Sequence, residues 1–331
     1  MILKNRKIGA GFLVSGLLLL LTVQNAYSWG FWAHKRINRL AVFTLPSDLI
    51  GFYKQNLEFI TDHAVDPDKR RYAVVGEDKN HYIDIDYYGT YPFEDLPRDL
   101  DEAVEKYTLD TLMEYGYFPW NLQKVKRQLT KAFEQKNTKR ILQLSADIGH
   151  YIGDGHVPLH TTINYNGQLT GQKGIHGFWE SRCPELFADE NYDYFVGKAE
   201  YITDVEDFVW NMVLESHSHV AQVFALEKEL TAEFPDDKKY AYDDRNKIVL
   251  RTYSFEFAQA YEQRLDGMIE DRMRKAIHSI GSIWMTCWID AGQPDLIEIM
   301  ELDISAEEKL ADEVLDKKVQ EGKIKGREHD K

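Results

Sequence analysis

Apolar residues recur every three or four positions along most of this chain, and strict alternation is scarce. That spacing predicts helices rather than strands. One helix is expected over 96–117, with Pro97 near its start. Two more are expected over 120–136 and 138–157, the second with Thr138 as N-cap. Long helices are predicted over 203–229 and 254–290. In the last, Phe257, Tyr261, Leu265, Ile269, Met273, Ile277, Ile280, Trp284 and Trp288 form an apolar stripe, which core packing explains. The stretches 64–80, 158–175 and 188–202 lack periodicity and read as loops. No repeat, linker or domain boundary interrupts the pattern. The chain therefore reads as all-α, a single mainly helical domain over 29–300. A charged C-terminal helix or tail follows over 301–331.

The first 28 residues break the pattern. "MILKNRKIGAGFLVSGLLLLLTVQNAYS" has three basic residues, a short apolar run and small residues at Ala26 and Ser28. This is the layout of a secretory signal peptide, cut between Ser28 and Trp29. The run is short and interrupted by Gly and Ser, so it spans a membrane poorly. The expectation is a secreted or periplasmic protein with no membrane anchor after cleavage.

Composition narrows the chemistry. Acidic residues outnumber basic ones 55 to 40, for a net charge of −15. Such a surface does not attract a polyanion, so a phosphate-bearing substrate needs cations within the site itself. Only Cys183 and Cys287 occur. One disulfide between them is open, and a cysteine-rich zinc site is excluded. No stable protein partner is suggested.

Eleven histidines are spread over the chain, yet "GHYIGDGHVPLH" (149–160) holds three of them and an aspartate. His150 and Asp154 are four apart on a predicted helix and share a face. Apolar neighbours put that face near the core, where an unpaired carboxylate is costly and a cation removes the cost. Pro158 breaks the helix, and His160 follows at the turn. Then comes "HGFWE", with His176 and Glu180 again at i and i+4. His81 lies in "HYIDID", and His34 stands five residues after the new N-terminus. Imidazole and carboxylate at this density suit zinc or a similar divalent ion. His156 reads as a loop histidine bonded to backbone or solvent.

"WGFWAH", "HYID", "IGHYIGDGHVPLH" and "HGFWE", in that order after a signal peptide, resemble the zinc-dependent phospholipase C and nuclease P-one/S-one superfamily. The motifs cover about 29–180; the later helices match only in character. The resemblance implies a trinuclear zinc site between helices that hydrolyses phosphoric esters. Carried over by position, Asp66, His81 and His150 hold the first of three Zn2+ ions, with Asp154 shared. His160, His176 and Glu180 hold the second. Trp29, through its free α-amino group and carbonyl, holds the third with His34 and Asp154. Signal cleavage would then complete the site. Asp62 and Asp68 stand close by as alternatives to Asp66. A hydroxide shared between two zincs is expected to attack phosphorus, with Asp66 and Asp154 as the catalytic carboxylates. Lys69 or Arg70 is expected to steady a phosphate.

The motifs divide on the ester. The short loop from His160 to His176 and the closing Glu180 look like the phospholipase C branch, whose substrate is a phospholipid head group. The five-residue step from Trp29 to His34 looks like the nuclease branch, which takes single-stranded nucleic acid or a 3′-nucleotide. In that branch Tyr82 would stack on a base and Asp84 would help read it; Tyr82 fits packing beside the zinc ligands equally well. Lipid contact would come from exposed aromatics such as Trp32, Phe178 or Trp179, although these positions also suit burial. A phospholipase C-like hydrolase is the leading expectation. A P-one-type nuclease comes second, and a non-catalytic zinc-binding helical protein third.

Overall fold

The structure, a computed structural model, describes residues 30–245, 248–300 and 313–319. The expected signal segment and Trp29 lie outside the described residues, as does most of the charged tail. Among the described residues no helix is long and apolar enough to cross a membrane.

The chain folds as one helical domain. Four short elements open it: α1 (Phe31–Ala41), α2 (Ser47–Gln55), α3 (Leu57–Asp62) and α4 (Asp66–Arg70). The middle holds α5 (Leu100–Tyr107), α6 (Leu109–Glu114), α7 (Phe118–Glu134) and α8 (Thr138–Gly155). Next come α9 (Ile175–Gly177), α10 (Cys183–Asn191), α11 (Val205–Ser218) and α12 (Val220–Glu233). A hairpin of β1 (Tyr240–Arg245) and β2 (Ile248–Tyr253) leads to α13 (Phe255–Leu265) and α14 (Met268–Asp290).

Three of the expected long helices are broken, each for a local reason. The 96–117 helix becomes α5 and α6 because Thr108 takes a positive φ of 68°. Its hydroxyl then caps α6 by accepting from the Thr111 amide. The 203–229 helix breaks at His219, and the 254–290 helix at Asp266 and Gly267, both left-handed. Apolar periodicity missed these breaks because the flanking helices pack on one core, so the stripe resumes after each. The hairpin was missed too. The expected loops over 64–80 and 158–175 carry short helical turns at Glu77–His81 and Pro158–Thr161.

α14 runs through the centre, in contact with α1, α7 and α8. Trp284 is fully buried there, stacked on Tyr53 at 4.7 Å, and its indole N–H donates to the Ser145 carbonyl. Burying side chains of this size contributes about 1.5–3 kcal/mol each. Cys183 and Cys287 are both buried and free, so no disulfide joins them.

Candidate metal centre

α8 is the spine of the site. Asn137, not Thr138, caps it, accepting from the Arg140 amide; the Thr138 hydroxyl instead donates to the Ile299 carbonyl. His150 and Asp154 lie one turn apart on its buried side. Two glycines let α1 approach that turn. A Cβ on Gly153 would come within 2.8 Å of Ile37 and 3.0 Å of the His34 ring, and one on Gly149 would overlap Asn38. With both positions bare, the His34 ring stacks on His150 at 3.8 Å.

Other segments deliver the rest. The turn after Val157 brings His160 back, and the Glu77–His81 turn supplies His81. His176 and Glu180 sit on successive turns, the second a π-helical stretch at Phe178–Arg182. Such π turns are rare and recur at functional sites. Asp68 comes from α4.

Eight side chains meet: His34, Asp68, His81, His150, Asp154, His160, His176 and Glu180. Each is no more than 3% exposed. They form three groups whose ligand atoms lie within 4.8 Å of one another: His34–His150–Asp154, Asp68–His81–His150 and His160–His176–Glu180. Asp154 joins them. Its Oδ1 faces His34 at 3.3 Å and His160 at 3.7 Å, and its Oδ2 faces His81 at 2.8 Å and His150 at 3.2 Å.

The donors fit zinc. His150, His160 and His176 each donate Nδ1–H to a backbone carbonyl, of Ala64, His81 and Tyr165 respectively. A carbonyl only accepts, so each ring, when neutral, turns its Nε2 lone pair toward the cluster. The Nε2 atoms of His160 and His176 are 3.3 Å apart, and His150 Nε2 is 3.1 Å from His81 Nδ1. Two nitrogens on one tetrahedral zinc stand about 3.3 Å apart, given bonds near 2.05 Å. Asp68 Oδ2 is buried with no hydrogen-bond partner, a cost that a cation removes.

Protonation shows the same demand for positive charge. Burial alone would lower the pKa of His150, but the charges of Asp154 and Asp68 override it and raise it to about 9. Burial would raise the Asp154 carboxyl, yet His150 and His160 hold it well below the usual carboxylate range. Glu180 follows the same pattern. Burial opposes, the facing histidines prevail, and its pKa drops to about 2.

Several expected positions fall elsewhere. Asp66 is not in the cluster; its carboxylate meets His63 at 2.5 Å and Lys69 at 3.5 Å. Asp68 stands there instead, with Oδ1 3.7 Å from His150 and 3.8 Å from His81. Lys69 pairs with Asp316 as well as Asp66. Arg70 is held by Asp147, Glu77 and Tyr151. Tyr82 is 3% exposed, with its hydroxyl on the Glu114 carbonyl, so it offers no open shelf to a base. Asp84 is buried. Phe178 and Trp179 are buried and Trp32 half-buried, so these aromatics make no exposed lipid-facing patch. Gly30, next to Trp29, donates its amide to the Ser181 hydroxyl, one residue from Glu180. His156 is buried; Arg272 donates to its Nδ1, and it bonds Ser279.

Sequence reasoning missed Asn166 and the two glycines. The Asn166 carboxamide accepts from the Gly174 and His176 amides and so shapes the loop before His176. Gly149 and Gly153 are four apart on the helix that carries His150 and Asp154, and that spacing was the available signal.

No protein-family model matches the chain, and no curated protein does either. Among solved structures the chain is similar to the alpha-toxin of Clostridium perfringens, isolated from avian strain SWCP, at 13% identity and a TM-score of 0.47. The match covers 82% of this chain and 65% of that one, so this chain spans less than two thirds of the toxin's length. The chemistry of the site rests on its own atoms, three adjoining groups of side chains that could each hold a metal ion, gathered around the Asp154 carboxylate.

Proposed function

We propose that this protein is a zinc-dependent hydrolase of phosphoric esters, phospholipase C-like, acting outside the cytoplasm once the signal segment is removed. The observation that carries this reading is Asp154, a single buried carboxylate facing four histidines. Bound zinc supplies Lewis acidity toward phosphoryl oxygens and a water whose proton leaves near neutral pH.

The chain's own residues set the geometry. Asp154 ties the pockets together, so they hold a fixed separation. The backbone carbonyls of Ala64, His81 and Tyr165 lock three histidines in the tautomer that presents Nε2. Asp68 takes the place first expected of Asp66. Its Oδ2, free of other bonds, is the atom suited to take the proton from the attacking water. Trp29 would add its α-amino group beside His34 after cleavage. The buried Tyr82 and the closing Glu180 support a lipid head group over a base as the bound moiety.

The deciding experiment uses chain starting at Trp29 and loaded with zinc. It is assayed in parallel on phosphatidylcholine micelles and on single-stranded nucleic acid, with a chelator control. Chelator-sensitive release of phosphocholine alone is the expected result. Release of nucleotides alone would overturn the lipid reading and make the Trp29–His34 spacing the better guide. Activity on neither substrate would leave a zinc-binding helical protein.

A further inference from the structure

Lys239 stands at the base of the β1–β2 hairpin, with its side chain 14% exposed. Its ammonium donates to the Glu227 carboxylate of α12 at 2.8 Å and to the Thr231 hydroxyl at 2.7 Å. The ammonium also faces the rings of Phe257, Tyr240 and Tyr253 at 5.1, 5.4 and 5.6 Å. Glu227 is 1% exposed, and a carboxylate buried so deeply is tolerated only when paired and hydrogen-bonded. Lys239 supplies the opposite charge, and the aromatic faces stabilise the ammonium in turn.

Two routes lead from Lys239 to the metal centre. The first runs through Glu227. Its other oxygen accepts from the Gln172 side-chain amide at 2.6 Å, and that amide also donates to the Phe224 carbonyl of α12. Gln172 lies in the loop before His176, and its carbonyl accepts from the amide of Ile175, the residue next to His176. The second route runs through the rings. Tyr253 stacks on Phe178 at 3.8 Å, and Phe178 stands between His176 and Glu180 in the chain. Tyr261 backs the same ring at 5.0 Å. Both routes end on the segment that carries His176 and Glu180. None of these contacts is made to α8, which carries His150 and Asp154.

We propose that Lys239 is a positioning residue for the His160–His176–Glu180 group, an inference that rests on the reading of that group as a zinc pocket. Its charge offsets that of the buried Glu227, so the loop is tied to α12 by a charge-assisted bond to Gln172. Its place among the rings fixes Tyr253 against Phe178, and so fixes the turn on which Glu180 stands. Ligands bind a metal tightly only when the contacts behind them hold them in place, and losing such a contact costs about 10–100-fold in metal affinity. The hairpin, which carries no ligand of this group, thereby acts on the site at one remove.

The test compares the mature wild-type chain with Lys239→Met and with the E227Q/K239M double variant. Amide hydrogen exchange of the zinc-free proteins is followed over 165–180 and over 141–155, and zinc is titrated against a competing chelator. In Lys239→Met the expected result is faster exchange over 165–180, wild-type rates over 141–155, and one zinc held about tenfold or more weakly. The methionine also leaves Glu227 buried without its cation, which lowers global stability. The double variant removes that charge, so it should recover most of the lost urea midpoint while 165–180 still exchanges faster than in wild type. Unchanged exchange over 165–180 in Lys239→Met would overturn the inference, as would an increase spread evenly over the chain. So would wild-type local rates in the double variant, or full zinc affinity in Lys239→Met. A wild type that takes up no zinc would instead count against the metal reading, and the exchange comparison would still decide the role of Lys239.

Discussion

His160 and His176 hold their Nε2 atoms 3.3 Å apart, while each gives the proton on its other nitrogen to a backbone carbonyl. Two lone pairs facing each other in a buried space repel unless a cation lies between them. Glu180 completes the group, 2.9 Å from His176. The pair is therefore the clearest local statement that the fold is built around positive charge it does not itself supply.

Replacing His176 with Ala should remove one zinc and leave the others. Metal analysis of the purified variant should show about one ion fewer per chain. Ester hydrolysis should fall by about 100-fold or more, since even outer-shell changes at metal sites cost 10–100-fold. Unchanged zinc content would dissociate this pocket from metal binding.

Asp68 and Asp66 should behave oppositely. Asp68→Asn removes a charged ligand from the His81–His150 group and should cost a zinc and most activity. Asp66→Asn breaks only contacts to His63 and Lys69 and should leave zinc content as it was. Zinc loss in the second variant and not the first would restore the assignment first read from sequence.

Gly153→Ala should separate α1 from α8. The added methyl meets Ile37 and the His34 ring, both buried. Overpacking of this kind costs about 1–3 kcal/mol, measurable as a lower denaturant midpoint. Zinc shared with His34 should weaken with it, while the His160–His176–Glu180 pocket keeps its ion.

Glu262 should give the protein a stability slope with pH. Burial pushes its carboxyl up to about 7 from 4.5; the Tyr192 hydroxyl bond opposes this and the charge of Glu270 adds to it. The folded state thus holds the proton more tightly than the unfolded chain. This group's contribution is complete below pH 4.5, declines as pH rises, and is lost above about 7. Glu262→Gln should therefore gain stability over wild type at pH 8, on the order of 2 kcal/mol. Urea unfolding at pH 5 and pH 8 measures the difference, and a gap that does not widen at pH 8 would sink the account.

One residue added ahead of Trp29 should replace the α-amino group with an amide, a poor zinc ligand. The extended chain should carry one zinc fewer than the mature chain by metal analysis. Equal zinc content would mean that Trp29 takes no part.

The sequence by itself determined what depends on distance along one helix. His150 with Asp154, and His176 with Glu180, share faces because four residues make about one turn. The helical class followed from the same periodicity, and the crowding of histidines pointed to a site that could hold a metal. What only the tertiary structure decided depends on rotation and on contact between distant segments. Asp66 and Asp68 are two apart on α4, so they point about 200° from each other, and the packing of α4 on α8 chose Asp68. Tyr82 could be placed beside the site from sequence, but its burial depends on α6 and α7 closing over it. The breaks at Thr108, His219 and Asp266 were hidden because side-chain hydrophobicity records which face is buried, not where the backbone turns. The meeting of four histidines on Asp154 required two bare glycines and a close helix crossing, which no local spacing encodes.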